Sequence, residues 1–365
     1  MKNTGLASIA QLREFSEIID VRSPSEFAED HIPGANSCPV LDDAERVQVG
    51  TLYKQSPFEA KKIGAALVSR NIARHIEQQW LGKPRSWHPL IYCWRGGQRS
   101  GAMTHILRQI GFAAERLDGG YKSYRQHVLQ QLEALPTTFS FRVLCGLTGS
   151  GKSLLLAALQ QAGAQVLDLE NIARHRGSVL GDMPNEPQPA QKGFDSMVLA
   201  KLQSFDPSHP VYVESESKKI GLLRLPDALI EAMWASPCLR LECATAIRVA
   251  LLRREYEHFL SDPALLQRQL DRLKGMYPNE SLTHWHALSV AKAWDELVTE
   301  LLERHYDPAY NKSIFSHYPD YAQGPGLTLN SLSENAFDAL AHEALALSHD
   351  FVNNDGTVQT QTLYV

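Results

Sequence analysis

Gly146-Leu147-Thr148-Gly149-Ser150-Gly151-Lys152-Ser153 stands between an apolar run, Phe141-Arg142-Val143-Leu144-Cys145, and a stretch of helical composition over residues 152–162. It fits the G-x-x-x-x-G-K-S pattern of a phosphate-binding loop at every position, in the strand–loop–helix context the pattern requires. The glycines let backbone N–H groups converge on phosphate oxygens, and the following helix adds the partial positive charge of its N-terminus. Gly146, Gly149, Ser150 and Gly151 are the expected cradle, with Lys152 against the phosphates and the Ser153 hydroxyl as a Mg²⁺ ligand. The motif does not say which phosphate compound binds. A strand ending in a carboxylate normally completes such a metal site. Val211-Tyr212-Val213-Glu214-Ser215-Glu216 is the best candidate, Glu214 first and Glu216 second. Asp168 and Glu170, at the end of the apolar run 164–169, compete for the role.

The chain around this loop has 365 residues, 44% of them apolar and 21% charged. That length and balance describe about two ordinary globular domains and argue against global disorder. No apolar stretch approaches the ~20 residues that span a bilayer, and the first ten residues lack the apolar core of a secretory signal. Five cysteines without a C-x-x-C pair or a Cys/His cluster make a disulfide framework and a zinc site poor readings. The chain reads as a cytoplasmic protein with free thiols. A net charge of −5 excludes a global basic coat for nucleic acid, though not a local groove.

A second strand–loop–helix pattern lies upstream. Residues 17–21 are a short apolar run that stops at Arg22-Ser23-Pro24, where a short helix opens. Pro89-Leu90-Ile91-Tyr92 reads as a buried strand, and residues 100–110 place apolar side chains at 103, 106, 107 and 110, which is helical spacing. Between them lies Cys93-Trp94-Arg95-Gly96-Gly97-Gln98-Arg99-Ser100. A thiol at a strand end, followed by a glycine turn that enters a helix, sits among backbone N–H donors, and Arg95 and Arg99 add positive charge. Both effects favour thiolate, so Cys93 reads as a nucleophile in an anion cradle. Residues 133–140, with Leu135-Pro136-Thr137-Thr138, read as a linker. Further strands are expected over 164–169 and 211–213, mostly helix over 226–304, and a flexible tail over 349–365. There is no internal repeat.

The Cys93 loop resembles the active-site loop of the rhodanese family. The resemblance extends to Asp20-Val21-Arg22-Ser23-Pro24-Ser25-Glu26-Phe27, His31-Ile32-Pro33-Gly34-Ala35 and Leu117-Asp118-Gly119-Gly120-Tyr121-Lys122-Ser123-Tyr124. One feature departs from it: five residues separate Cys93 from Arg99, where sulfur-carrying loops have four. Five is the spacing of the phosphatase branch, and a wider loop suits a larger anion. The implied architecture is α/β throughout: a rhodanese-like domain over 5–132, then a P-loop NTPase-like domain over 139–348 with a helical C-terminal region.

Both motifs, their order and spacing, the total length, and Val213-Glu214-Ser215-Glu216-Ser217 together resemble the tRNA 2-selenouridine synthase family. That resemblance implies a tRNA-modifying transferase that exchanges the sulfur of wobble 2-thiouridine for selenium, with selenophosphate as donor. It also implies S-geranylation of the same base from geranyl diphosphate. On that implication Lys152, Ser153 and Mg²⁺ neutralise a leaving diphosphate, and Cys93 holds selenium as a perselenide; no haem, flavin or zinc is called for. The expected partners are the tRNA anticodon stem-loop and a selenophosphate-supplying enzyme, with no membrane. Arg248, Arg253, Arg254, Lys218 and Lys219 are candidates to hold the tRNA, against a solvated helix face; His284, Trp285 and His286 are candidates to stack on a base, against a core role. The competing function is a Cys-dependent phosphatase or sulfurtransferase fused to a regulatory NTPase.

Overall fold

The structure, a computed structural model, describes residues 5–354 apart from 179, 184 and 185, with side chains as far as Ser348. Short apolar runs become parallel strands because each is followed by a helix that returns the chain to the same edge of a sheet. The chain divides into two compact units, one holding the residues up to Leu132 together with Pro189–Ala200, the other Glu133–Gln188 and Lys201 onward.

In the first unit, β1 (Leu6–Ala7), β2 (Glu17–Asp20), β3 (Asn36–Ser37), β4 (Pro89–Tyr92) and β5 (Glu115–Leu117) form a sheet of order β1-β5-β4-β2-β3. All four pairings are parallel. The central strand β4 is buried along its whole length, as a strand covered on both faces must be. Ile19, Ile91, Met103, Leu107 and the Trp80–Trp87 pair fill the core.

The second unit repeats the principle with β6 (Phe141–Cys145), β7 (Gln165–Leu167), β8 (Val211–Glu214), β11 (Cys238–Cys243) and β12 (Gly326–Leu329), in the order β12-β11-β6-β8-β7 and again parallel. A separate antiparallel pair, β9 (Lys219–Ile220) and β10 (Leu223–Arg224), follows β8. β6 is central and fully buried. The helices Lys152–Gln161 and Glu334–Asn354 share one apolar cluster, in which Leu155, Leu156 and Leu159 meet Phe337, Leu340 and Ala341.

Several expectations are corrected here. The segment 226–304 is mostly helical as expected, but the strand β11 crosses it unforeseen, with Leu239 and Leu241 buried and Arg240 and Glu242 more exposed, a period of two too short to stand out between helices. Within that segment Lys292, with φ of 56°, separates the helix Asn279–Val290 from the helix Trp294–Leu301. The strand over 164–169 stops at Leu167, because Asp168 turns to cap the helix Leu169–Ala173 by accepting Asn171 N–H at 2.9 Å. The linker over 133–140 is largely folded, as the end of a helix and a 3₁₀ turn, Leu135–Thr138. Backbone helix continues through 349–354, so only 355–365 of the expected tail lie outside the described residues.

Candidate functional site

The thiol site is built at the carboxyl end of β4. Cys93 is 3% exposed, and the Ser100 hydroxyl donates to its Sγ at 3.2 Å. The loop returns through Gly97 into the helix Gln98–Ile110. It is held from beneath: Tyr121 N–H donates to Cys93 O at 2.8 Å, and Lys122 N–H to Trp94 O at 2.9 Å. This close approach explains the glycine pair at 119–120. Gly120 has φ of 61°, and a Cβ there would lie 2.3 Å from Cys93 O and 2.4 Å from Gly96 N.

The two arginines of the loop part company. Arg95 is exposed, with no ion pair among the described residues. Arg99 is gripped by Glu26 through Nη1 at 2.7 Å and Nη2 at 3.3 Å, and Glu26 also accepts Ser23 N–H. Burial alone would raise the Glu26 carboxyl, but its hydrogen bond and ion pair with Arg99 hold it below the usual range. Asp20 and Arg22 form a buried ion pair at 2.7 Å beneath this site, and the Arg22 guanidinium lies 4.0 Å from the Tyr121 ring centroid. Tyr121 in turn donates to Asp30 at 2.6 Å. The Asp-x-Arg signature is therefore a brace rather than a reactive group.

The helix Gln191–Leu202, distant in sequence, contributes to the same unit. Lys192 pairs with Glu29 at 2.7 Å and stands 5.8 Å from the Trp94 ring, and Asp195 pairs with Arg125. Sequence reading missed these residues, because nothing in a helix of ordinary composition says which sheet it covers.

The phosphate loop of the second unit follows β6 as expected. Gly149 and Gly151 have φ of 76° and 90°, and a Cβ on Gly146 would meet Leu241 O at 2.7 Å. Lys152 Nζ donates to Gly146 O at 2.8 Å, and Gly146 N–H donates to the Tyr310 hydroxyl at 2.6 Å. Tyr310 shares a further hydrogen bond with Ser215 at 2.9 Å. Ser150 is buried, its hydroxyl without a partner.

A cavity of about 520 Å³ lies in front of the loop. Within it Glu170, Glu214 and Glu216 bring carboxylate oxygens to within 4.8 Å of one another, and Ser153 donates to Glu170 at 3.4 Å. Burial, then the charge of Glu216, push the Glu170 carboxyl up to about 8. Glu214 and Glu216 are likewise raised well above their ordinary value, by burial first and by a neighbouring carboxylate second. Glu214 Oε1 has no hydrogen-bond partner. Crowded hard oxygens of this kind, one of them orphaned, fit a divalent cation such as Mg²⁺. Glu170 thus joins Ser153 and Glu214 rather than competing with them, whereas Asp168 is spent on its cap. Arg174, His175 and Arg176 also line the cavity. The run Arg174-His175-Arg176-Gly177 was a readable signal for them.

The residues expected to hold tRNA divide. Arg248 is 2% exposed; Asp307 takes its guanidinium at 2.6 and 3.0 Å and Thr148 O accepts from its Nε at 2.9 Å. It buttresses the phosphate loop and is too deeply buried to meet a tRNA backbone, contrary to the expectation for it. Lys218, Lys219, Arg253 and Arg254 are exposed, with Arg253 paired to Asp295 at 2.8 Å. Trp285 is fully buried and donates to Glu300, and His284 and His286 bond Glu300 and Asp271, so all three belong to the helical region's own packing.

A family model described as the tRNA 2-selenouridine synthase AAA domain matches residues 139–277, and one described as the rhodanese-like domain matches 6–127. The chain is 38% identical over 245 residues to the tRNA 2-selenouridine synthase of Nitrosomonas europaea, covering 66% of this chain and 63% of that protein. For the enzyme of the same name from Marinobacter nauticus the figures are 36% over 247 residues, 66% and 65%. Against the Aeromonas salmonicida enzyme the match is 32% over 323 residues, 80% and 86%. The chain thus spans just under two thirds of the first two relatives' length and most of the third's.

Proposed function

Because the chain belongs to the tRNA 2-selenouridine synthase family, we propose that it replaces the sulfur of a wobble 2-thiouridine in tRNA by selenium, taking selenophosphate as donor and passing through an S-geranyl intermediate. The observation that supports this division is the presence on one chain of two unlike anion-holding loops. One carries a thiol bonded by Ser100 beside Arg95 and Arg99; the other carries Lys152 and Ser153 opposite a carboxylate trio.

In the first half-reaction the thiouridine sulfur attacks C1 of geranyl diphosphate: the S–C1 bond forms, the C1–O bond breaks and diphosphate leaves. Lys152 and the loop N–H groups take up the charge that develops on the leaving oxygen. Ser153, Glu170, Glu214 and Glu216 would hold Mg²⁺, which supplies Lewis-acid stabilisation of that same charge. In the second half-reaction the selenium of selenophosphate adds at C2 of the base, the C2–S bond breaks and geranylthiol departs with a proton; water then cleaves the Se–P bond and phosphate leaves. Cys93, with Arg95 and Arg99, receives the selenium donor, an anion of the size that a five-residue Cys–Arg spacing accommodates. A selenophosphate-supplying enzyme is the natural partner, and the setting is the cytoplasm. Among the described residues no helix is long and apolar enough to cross a membrane.

The two loops should be separable. Lys152→Ala should block S-geranylation of 2-thiouridine tRNA by about 10²-fold or more while still permitting selenation of pre-geranylated tRNA. Cys93→Ser should accumulate the geranylated nucleoside without selenium. Mass spectrometry of nucleosides from both variants, each given both tRNA substrates, reads the outcome. Normal geranylation by Lys152→Ala would remove the diphosphate from the phosphate loop.

A further inference from the structure

The strands β9 and β10 form a hairpin whose tip is unlike its sides. Ile220 and Leu223, opposite each other in its register, are buried. Leu222, in the turn between them, is 92% exposed, more than any other large apolar side chain among the described residues. A single exposed leucine is ordinary on a loose loop. This one is braced. Leu222 N–H donates to Gln188 Oε1 at 2.8 Å, and Gln188 Nε2 donates back to Ile220 O at 2.9 Å and to Ala173 O at 3.3 Å. Gly221 supplies the positive φ, 58°, that the first position of a two-residue hairpin turn asks for. A Cβ there would lie 2.8 Å from the His175 ring, and His175 lines the cavity before the phosphate loop. The turn is therefore held against a wall of that cavity with its leucine in solvent.

The foot of the hairpin is cationic. Lys218, Lys219 and Arg224 are all exposed. Arg224 pairs with Asp227 at 2.9 Å, and Lys218 Nζ lies 5.4 Å from the Trp234 ring. Lys218 and Lys219 have no ion pair among the described residues, on a chain whose net charge is −5. An apolar tip on a basic foot complements a polyanion whose interior is stacked bases.

We infer that Leu222 is a wedge: it enters a base step of the tRNA anticodon loop and holds the wobble base out of its stack, while Lys218 and Lys219 take the neighbouring phosphates. The inference rests on the tRNA reading of the proposed function and assigns the unstacking step to a residue. The chemistry needs such a step. A stacked neighbour covers the ring face through which a nucleophile reaches C2, and a base still in its stack cannot pass into a cavity. Unstacking costs free energy, and an apolar side chain that fills the gap covers the base face left behind. The lysines add attraction without reading sequence.

An anticodon stem-loop RNA with 2-thiouridine at the wobble position and 2-aminopurine on its 3′ side tests this, because 2-aminopurine brightens when its stacking neighbour leaves. It is titrated with the full chain in the absence of donors. At saturation wild type should raise the fluorescence about threefold or more. Leu222→Ala should bind within about threefold of wild-type affinity yet leave the fluorescence near that of the free RNA. Leu222→Met, apolar and of similar volume, should restore the rise. Both variants should melt with wild type, since the side chain is exposed. A full rise with Leu222→Ala would overturn the wedge and leave the leucine to a protein partner. RNA bound by wild type without a rise, or Leu222→Met no better than Leu222→Ala, would also overturn it, with tRNA still the substrate. Failure of wild type to bind the stem-loop at all would overturn the tRNA reading itself.

Discussion

Glu26 shows how much of the thiol site is carried by a residue that performs no chemistry. Its two oxygens fix the Arg99 fork while its charge keeps that guanidinium compensated in a partly buried setting. Glu26→Gln keeps the shape and removes the charge, so it should cost about 1–3 kcal/mol in a denaturant melt. Selenium incorporation from pre-geranylated tRNA should fall about tenfold or more as Arg99 loses its orientation. Equal turnover by the variant would show that Arg99 needs no positioning. Glu170 makes the opposite electrostatic statement. Its folded-state pKa, about 8, lies above the ordinary carboxylate value, so the folded chain binds more protons than the unfolded one. Without divalent cation, stability should therefore be fully present below about pH 4 and decline as pH rises towards 8. Thermal melts across that range, with and without Mg²⁺, should show the decline and its relief by the cation; a flat profile without metal would contradict the buried, crowded carboxylate. Arg248 marks the limit of reading charge from sequence. A guanidinium paired with Asp307 and bonded to Thr148 O supports the phosphate loop, so Arg248→Ala should cost about 3 kcal/mol or more and weaken diphosphate binding. tRNA affinity should follow only as far as folding does.

Strand ends and glycine turns make both sites, and their tolerances are tight. The turn at Gly119-Gly120 and the turn at Gly96 press against each other, with Gly96 at φ of 62° and a Cβ there 2.8 Å from Leu117 O. A side chain at either point meets backbone, which cannot rotate away. Gly120→Ala should therefore destabilise the first unit by about 2 kcal/mol or more and abolish selenation although Cys93 is untouched. A variant with normal melting and normal activity would mean the two turns can separate. Gly119 and Gly120 were legible in the sequence only through the rhodanese resemblance, although a Gly-Gly pair is by itself a turn signal. The strand β11 was not legible. Its alternation extends over six residues between helices, and only its pairing with β6 and β12 decides that it is a strand.

The first unit does not end where its sequence motifs end. Pro189–Ala200 closes it, through buried Phe194, the Arg125–Asp195 pair and the Lys192–Glu29 pair. Residues 5–132 expressed alone should melt lower than the same segment fused to 189–200, by several degrees, because the apolar surface that Phe194 covers is exposed and the half-buried Arg125 loses its partner. Equal melting would make that helix a passenger. Exposed Arg254, Lys218 and Lys219 on a chain of net charge −5 should bind tRNA with steep salt dependence, and charge reversal at these positions should flatten the slope. Salt-independent binding would exclude a phosphate-tracking groove there. Local patterning was enough to determine the two glycine loops, the strands before them and the α/β class, since backbone geometry at a glycine turn and the burial of a short apolar run are decided by near neighbours. Glu170 as a third carboxylate, Arg248 as a buttress and the Gln191–Leu202 helix as part of the first unit were decided by tertiary structure alone. Each depends on which distant group supplies the partner for a charge or covers an apolar face, and one-dimensional spacing carries no record of that meeting.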